Sequence, residues 1–440
     1  MSIPTMQGLQ TAISGLMAYQ DSLDITGQNI SNAETPGYSR QVADLVTEPT
    51  VTVPALSPED GRGAIVGTGV GVKEIERIHN NFLEGQYRST TATLGSSAAL
   101  AESLEQVQSA LNEPSSSGLA AQLSSFWSAW NSLANAPTSL GAREVVVAAG
   151  KEVATTLNRL RAQISEVYET ASARYSQLTG SSGQVGSDAE AIASLNHQIQ
   201  LAEQAGQQPN ELLDKREMLI NELAKLANTS ASEGEFGVVN VSFGGAEKPL
   251  VEGSVVNWPQ TLKASAGGEL GALLALTEPT GRLDELGEAL NKIAETLAVS
   301  VNGHQPESPF FSFSAGAAAA TIKVVATPES LQAGPAGQPG SNEYASAIAA
   351  LRGGEVESLY GALVARVGHE VKSAKTTLSN AEAMQGAIKA QRESVSGVSI
   401  DEEMTNMMTF QRGYEASARV LTAMDQALET LIEHTGRVGL

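Results

Sequence analysis

The 440-residue sequence contains no cysteine, which excludes disulfides, thiolate metal sites and cysteine nucleophiles. The lack does not fix a compartment, but it suits a chain that must stay unfolded for a time without cross-linking. Aromatic residues are scarce, at 4%. The dominance of Ala, Ser, Gln, Glu and Leu in their place favours long helices over a large sheet. Basic residues are also few: 27 Lys and Arg stand against 49 Asp and Glu, a net charge of −22. That balance argues against nucleic acid or an anionic membrane surface as a partner, since both need clustered Lys and Arg, and it reads most simply as solubility. No long apolar run occurs. The stretch AGAAAATIKVVA is short, rich in small residues and interrupted by Lys323, so no membrane-spanning helix is expected. The N-terminal MSIPTMQGLQTAISGLMAYQ has neither the basic segment nor the continuous apolar segment of a signal peptide. A cytoplasmic protein is therefore expected, or one exported without a cleaved signal.

The signatures of chemistry are missing too. The five histidines (His79, His197, His304, His369, His434) are scattered. His369 opens a sequence resembling a zinc-protease helix, but Ser373 stands where a second imidazole is needed one turn on. GTGVGV at 67–72 has Val72 in place of the last glycine of a dinucleotide loop and reads instead as a hairpin turn. Walker A and G-x-S-x-G sequences do not occur. Glu402 and Glu403, at a helix start, read as partners of the helix dipole rather than acid–base groups. Trp127 and Trp130 share a helix face and read as core rather than as a sugar-stacking platform. No catalytic, cofactor-binding or metal residue is assigned, and the chain is read as a non-enzyme of two or three domains.

The pattern along the chain is mainly α with small β regions. Short Val-rich pieces separated by Pro and Gly over 38–80 predict strands (QVADLVT, VTVPAL, GAIV, GVGV), with Gly67-Thr68-Gly69 as a hairpin tip. Helices are predicted over 80–112, 117–134, 140–178, 186–206 and 210–228. Alternating strands with Gly-Gly turns over 229–278 predict a small β subdomain, an amphipathic helix follows over 283–302, and 303–340 is loop and short strand. The remainder, from about 342, is helical.

Both ends carry narrow seams. Residues 6–30 repeat by sevens as Met6/Leu9, Ile13/Leu16, Gln20/Leu23 and Gly27/Ile30. The last helix repeats Ile400, Met407, Tyr414, Leu421 and Leu428, joined by Phe410, Met424 and Leu431. Ser399 and Glu402 are spaced as a capping box at its start. Two such seams are expected to pack against each other. They are too narrow to hold an isolated pair firmly, so the ends are expected to become ordered when neighbouring copies bury more of them. Met404, Met407, Met408 and Phe410 form a soft apolar cluster, read either as core or as a surface adaptable to two partners. The first helix ends at NISNAETPGYSR (29–40). Pro36 fixes its own φ and keeps Thr35 out of the helical region, Gly37 suits the centre of a type II turn, and Asn29 and Asn32 can bond groups left open at a helix end.

These residues carry a resemblance. The N-terminal seam with NISNAETPGYSR, together with DEEMTNMMTFQRGYEASARVLTAMDQALETL, resembles the axial (rod, hook and junction) proteins of the bacterial flagellum. GTGVGVKEIERIHNNFLEGQYR, NEPSSSGLAAQLSSFWSAWNSLANAPTSLGARE, NELLDKREMLINELAKLANTS and EKPLVEGSVV extend the likeness, in order along nearly the whole chain, to the family of flagellar hook-associated protein 1, the first hook–filament junction proteins. The resemblance implies an inner coiled-coil domain lining an export channel, built from 1–40 and 399–440. Around it would lie a mostly helical domain (41–228 and 281–398, β-rich at its start), with a β region (229–280) outermost and no large inserted outer domain. It implies an extracellular structural adaptor of the flagellum, exported unfolded by the flagellar type III pathway, that polymerises on the hook. Its partners would be further copies, hook protein, the second junction protein and an export chaperone holding the C-terminal helix, with no nucleic acid, membrane or cofactor. The implied assembly interface comprises Leu9, Ile13, Leu16, Leu23, Ile30, Ile400, Met404, Met407, Phe410, Tyr414, Leu421, Met424, Leu428 and Leu431. The implied domain corner is Asn29, Asn32, Thr35, Pro36, Gly37 and Tyr38. A hook or distal rod protein is the nearest alternative, against which stands the long helical stretch 80–228. A flagellin-like filament protein fits less well because of TPGYSR, and a peptidoglycan hydrolase on a flagellar scaffold lacks any candidate constellation.

Overall fold

The structure, a computed structural model, describes residues 4–53 and 64–434. The first helix, α1 (Pro4–Ser31), leads into the strands β1 (Gln41–Thr47), β2 (Val51–Val53), β3 (Ala64–Val66) and β4 (Val70–Arg77). Five long helices follow: α2 (Asn81–Leu111), α3 (Leu119–Asn135), α4 (Leu140–Thr179), α5 (Gln184–Gln204) and α6 (Asn210–Leu226). Their ends follow local chemistry. Asn80 caps α2 by accepting from the N–H groups of Phe82 and Leu83, Asn112 closes it in the left-handed region, and Ser139 caps α4 through the N–H of Ala142.

Then come β5 (Thr229–Glu233), β6 (Val239–Phe243), β7 (Val251–Glu252) and β8 (Val255–Val256), which form an antiparallel four-stranded meander in that order. The chain continues through α7 (Gly268–Thr277), α8 (Arg282–Asn302), β9 (Phe311–Ser312), α9 (Ala318–Thr321), β10 (Lys323–Val324) and α10 (Glu343–Ala349). It ends with two long helices, α11 (Glu355–Ser396) and α12 (Ile400–His434). The fold is mainly α with small antiparallel sheets, and the helices at its two ends pack together. Among the described residues no helix is long and apolar enough to cross a membrane.

Two apolar cores hold the middle. The larger joins α2, α3, α4, α8 and α11 around Phe126, Trp127, Trp130, Phe310 and Phe311, so much of the small aromatic complement is spent in one place. Gly150 of α4 makes room for Phe310, since a Cβ there would lie 2.6 Å from its ring. Both tryptophans are buried, so they are core and cannot serve as a sugar-stacking platform. The second core gathers the end of α4 with α5, α6 and α7 against the inner face of the meander, Val239, Val241, Phe243 and Val251. Residues 229–280 therefore have no separate core of their own; their sheet closes a helical layer. Within that stretch α7 was not predicted. Gly268, Leu270, Gly271, Ala272, Leu273 and Leu276 are all buried, and a helix apolar on nearly every side shows no 3.6-residue period.

The ribbon following α1 differs from expectation at one place. Gly67-Thr68-Gly69 is not a hairpin tip. It lies mid-ribbon, where the chain passes from the β2–β3 pair to the β1–β4 pair, with the Thr68 hydroxyl donating to the Pro49 carbonyl (2.8 Å) and the Glu48 N–H to the Gly69 carbonyl (3.0 Å). Pro54, Ala55, Leu56 and Gly63 of the predicted strands lie outside the described residues. β1 and β4 lie against α1; a side chain on Gly69, at φ +120°, would run into Ser14 and Thr11.

Candidate assembly site

The two terminal helices run antiparallel in a fixed register. A Cβ on Gly8 would fall 2.7 Å from the Met424 side chain, one on Gly15 would fall 3.1 Å from the Ser417 hydroxyl, and one on Gly413 would fall 2.7 Å from the Tyr19 ring. Asn29 closes the series by donating to Glu403 at 3.0 Å. Seven-residue steps along α1 (Gly8, Gly15) meet seven-residue steps back along α12 (Met424, Ser417), and the same antiparallel register brings Asn29 to Glu403. Small residues on both helices permit the close approach, Gly8 and Gly15 of α1 beneath Met424 and Ser417, and Gly413 of α12 beneath Tyr19.

This corrects half of the predicted seam. On α12, Met407, Phe410, Tyr414, Leu421, Met424 and Leu428 are half-buried along one stripe, as the heptads suggest, whereas Ile400 and Met404 are exposed. The side chain of Leu431 lies outside the described residues. On α1 the buried residues are Ala12, Gly15, Ala18, Ser22, Ile25, Thr26 and Asn29. Leu9, Leu16, Leu23 and Ile30 are half-buried on the flank of that face, and Ile13 points outward with Met6 and Met17. Counting aliphatic residues picked the flank because, Ile25 apart, the buried face holds small or polar residues. The soft methionine cluster is likewise divided, with Met407 and Phe410 on the half-buried stripe and Met404 and Met408 outward.

The turn forms as the sequence indicates, and the corner recruits more. The Tyr38 N–H donates to the Thr35 carbonyl (3.2 Å) and Gly37 has φ +81°, which makes Thr35–Tyr38 a type II turn with Pro36 and Gly37 at its centre. Asn32 does bond the helix end, donating to the Gln28 carbonyl (3.0 Å) and accepting from the Thr35 hydroxyl (3.2 Å). Asn29 does not cap the helix. With 1% of its surface exposed, it uses all of its bonding capacity across segments. Its Oδ1 accepts from the Tyr38 hydroxyl (2.8 Å) and the Gln41 N–H (3.0 Å), while its Nδ2 donates to the Gln41 carbonyl (2.8 Å) and the Glu403 carboxylate (3.0 Å). One amide thus holds the end of α1, the turn, the start of β1 and the start of α12 together.

Residues that local sequence gave no sign of complete the corner. Arg40 pairs with Glu402 (3.0 Å) and approaches Glu403 through Nε (2.8 Å), an ion-pair contact too bent for a hydrogen bond, while its N–H donates to the Ser396 carbonyl. Glu402 is therefore turned to Arg40 rather than back over its helix as in a full capping box, and Ser399 accepts weakly from the Glu402 N–H at 3.5 Å. Asp214 of α6 accepts from the Ser39 N–H (3.2 Å) and from Arg77 of β4 (3.0 Å). Burial raises the Asp214 carboxyl above the usual range against the opposing pull of Arg77. Burial, reinforced by Asp214, Glu403 and Glu211, pushes the Tyr38 phenol up to about 12, so it remains a donor to Asn29 at neutral pH. Gln208 and Asn210 satisfy the N–H and carbonyl of Ile75 (both 2.9 Å) on the open side of β4. Apart from Ser39 and Arg40, these partners lie far from the corner in sequence, and only the repeated small-residue spacing of Gly8, Gly15 and Ser22 was there to be read.

What this arrangement offers is contact: a clamped corner, a slender helix pair and exposed apolar side chains along it. Comparison with known proteins returns flagellar proteins. A family model described as flagellar hook-associated protein FlgK helical domain matches residues 104–265. Models for the flagellar basal body rod FlgEFG protein C-terminal and the flagella basal body rod protein match 384–433 and 9–38. Flagellar hook-associated protein 1 of Bacillus subtilis (strain 168) is 29% identical over 506 aligned positions, covering 98% of this chain and 99% of that protein. The protein of the same name from Escherichia coli (strain K12) is 28% identical over 264 positions, covering 59% of this chain but only 45% of the other. A solved structure of the flagellar hook junction protein FlgK from Burkholderia pseudomallei is 22% identical, with a TM-score of 0.46 over 52% of this chain and 47% of that one.

Proposed function

Since the chain belongs to the family of flagellar hook-associated protein 1, we propose that it is a non-enzymatic junction protein, polymerising at the distal end of the hook and connecting hook to filament. The observation that carries this reading is the terminal helix pair. α12 spans 35 residues, yet Glu403 is its one buried side chain among the described residues. A helix so weakly covered gains little from its own chain, and further copies would supply the missing contacts. Residues 1–40 and 399–440 then act as an inner assembly module, 41–228 and 281–398 as the body around it, and 229–280 as its outer face. The aliphatic and Met positions of both seams, half-buried and exposed alike, are the assembly interface of this proposal. Other copies, hook protein and the second junction protein are the partners, and the location is extracellular after unfolded export by the type III pathway. The match to a helical domain over 104–265 favours this over a hook or rod protein.

The test is complementation. In a motile bacterium lacking its own hook-associated protein 1, the chain, co-expressed with its cognate hook protein, should restore filaments on hooks. Bare hooks, with the protein secreted but unattached, would sink the proposal. A chaperone on the C-terminal helix would use the same apolar stripe, so Met407→Asp and Leu421→Asp should weaken both chaperone binding and attachment. Unchanged chaperone binding by both variants would place that site elsewhere.

A further inference from the structure

Helix α8 ends on the one Asn-Gly dipeptide of the sequence, Asn302-Gly303. That pair has a chemistry of its own. Glycine has no Cβ to shield its amide nitrogen, so in a flexible chain the Gly303 nitrogen can reach the side-chain carbonyl carbon of Asn302. After losing its proton the nitrogen attacks that carbon, and the bond from the carbon to the side-chain nitrogen breaks. A five-membered succinimide closes, and the leaving nitrogen takes up the proton and departs as ammonia. Water then opens one or the other ring carbonyl, leaving aspartate or isoaspartate. One amide and one water give one acid and one ammonia, with no oxidant and no enzyme.

The folded chain restrains both reacting groups. Gly303 continues the helical backbone (φ −57°, ψ −22°), and its N–H donates to the Val299 carbonyl at 2.9 Å. The Asn302 amide is held at three points. Its Oδ1 accepts from the N–H groups of Phe310 (2.8 Å) and Phe311 (2.9 Å), and its Nδ2 donates to the Phe311 carbonyl (2.8 Å). β9 meets β10 on its other side, where the Phe310 carbonyl accepts from the Val325 N–H at 3.0 Å. Asn302 therefore satisfies the edge of β9 that faces away from β10. It also seats Phe310 and Phe311, both buried, in the larger core.

We propose that Asn302 is a deamidation site that folding protects, and that conversion there while the chain is unfolded impairs closure of the larger core. In the aspartate product the donor to the Phe311 carbonyl becomes an oxygen, which repels that carbonyl and leaves it unpaired. In the isoaspartate product the main chain gains a methylene at 302, which displaces the segment leading to Phe310. Both products break the same strut. The effect holds for any unfolded interval and does not depend on the assembly reading above.

The test ages the unaltered full-length protein at mildly alkaline pH, in native buffer and in guanidinium chloride. Ammonia release and the mass of the proteolytic peptide containing residue 302 report the reaction, and chromatography separates its aspartate and isoaspartate forms. Conversion at 302 should be about a hundredfold slower in the folded protein, where it is confined to the population with the end of α8 open. When the denatured, aged chains are returned to native buffer, converted chains should be depleted from the folded fraction. Gly303→Ala is the control. Its backbone is helical and the new Cβ would lie 3.4 Å from the Val299 carbonyl oxygen, an ordinary contact. The added methyl shields the nitrogen, so this variant should convert about tenfold more slowly in denaturant and keep its refolding yield. Equal rates in the two buffers overturn the protection, and full refolding of converted chains overturns the consequence. Equal loss of yield by Gly303→Ala would place the damage at another residue and overturn the assignment to Asn302.

Discussion

At the scale of single residues, Asn29 decides the corner. Replacing it by alanine leaves the Tyr38 hydroxyl, both backbone groups of Gln41 and one Glu403 oxygen without their partner. Leaving buried polar groups unsatisfied costs about 1–3 kcal/mol each, with strong non-additivity. Roughly 3 kcal/mol for the site corresponds to about a hundredfold faster exchange of the Gln41 amide hydrogen. Native-state hydrogen exchange of Asn29→Ala reads this locally, and unchanged protection at Gln41 would show that the rest of the corner suffices. Asn29→Asp should fare worse at pH 7, since it turns an oxygen toward the Gln41 carbonyl and the Glu403 carboxylate. A second residue opposes stability. Asp188 of α5 is buried with Oδ2 unpartnered, and burial, with Glu222 nearby, pushes its carboxyl up to about 6. A carboxyl raised on folding favours the native state while protonated. That contribution is complete below the unfolded value of about 4 and lost as pH rises through about 6. Asp188→Asn should therefore stabilise the protein at pH 7 by about 1–2 kcal/mol, allowing for solvent screening, and have no effect near pH 4. Urea unfolding at the two pH values checks both halves.

At the scale of elements, the terminal pair depends on small residues placed in register. Glycine inside a helix is ordinarily the weaker choice, and exchange for alanine gains about 1 kcal/mol. Gly413→Ala should reverse that sign, because the new methyl would lie 2.7 Å from the Tyr19 ring and the helices would have to separate. Circular dichroism during thermal unfolding should show α12 melting earlier, and Tyr19→Ala in the same chain should restore most of the loss. Gly27, with nothing within 4 Å of an added Cβ, serves as the control in which alanine stabilises. The same elements show what the sequence could reveal. α12 was legible because the half-buried side chains of its stripe, Met407, Tyr414, Leu421 and Leu428, are large and repeat by sevens. The long middle helices were legible from caps and breakers, and the Thr35–Tyr38 turn from Pro36 and Gly37. The α1 seam was displaced by one face because glycine, alanine and serine carry no hydrophobic signal although they permit the closest approach. The arginine and carboxylate partners of the corner, Arg40 with Glu402 and Glu403 and Arg77 with Asp214, join segments hundreds of positions apart or on unrelated elements. No local pattern records such pairs.

At the scale of the whole molecule, stability is uneven by construction. The two apolar cores lie between α2 and α11, while α12 beyond Glu403 keeps no fully buried side chain among the described residues and meets the rest of the chain chiefly through α1. Local opening is cheapest where buried apolar contact is least. The helix pair should therefore open far below the global unfolding free energy, from its free end toward the Asn29–Glu403 clamp, which ties it to the β1–β4 ribbon and α6. Limited proteolysis of the dilute protein should accordingly cut α12 C-terminal to the clamp first and spare a fragment reaching from the corner through α11. Seeding the same protein onto hook ends should protect α12, since neighbouring copies would cover the stripe that a single copy leaves half-wet. Equal resistance of α12 and α11 in the dilute protein would mean that the small-residue packing of Gly8, Gly15 and Gly413 holds the pair closed unaided. In that case ordering of the ends could not be the step that assembly controls.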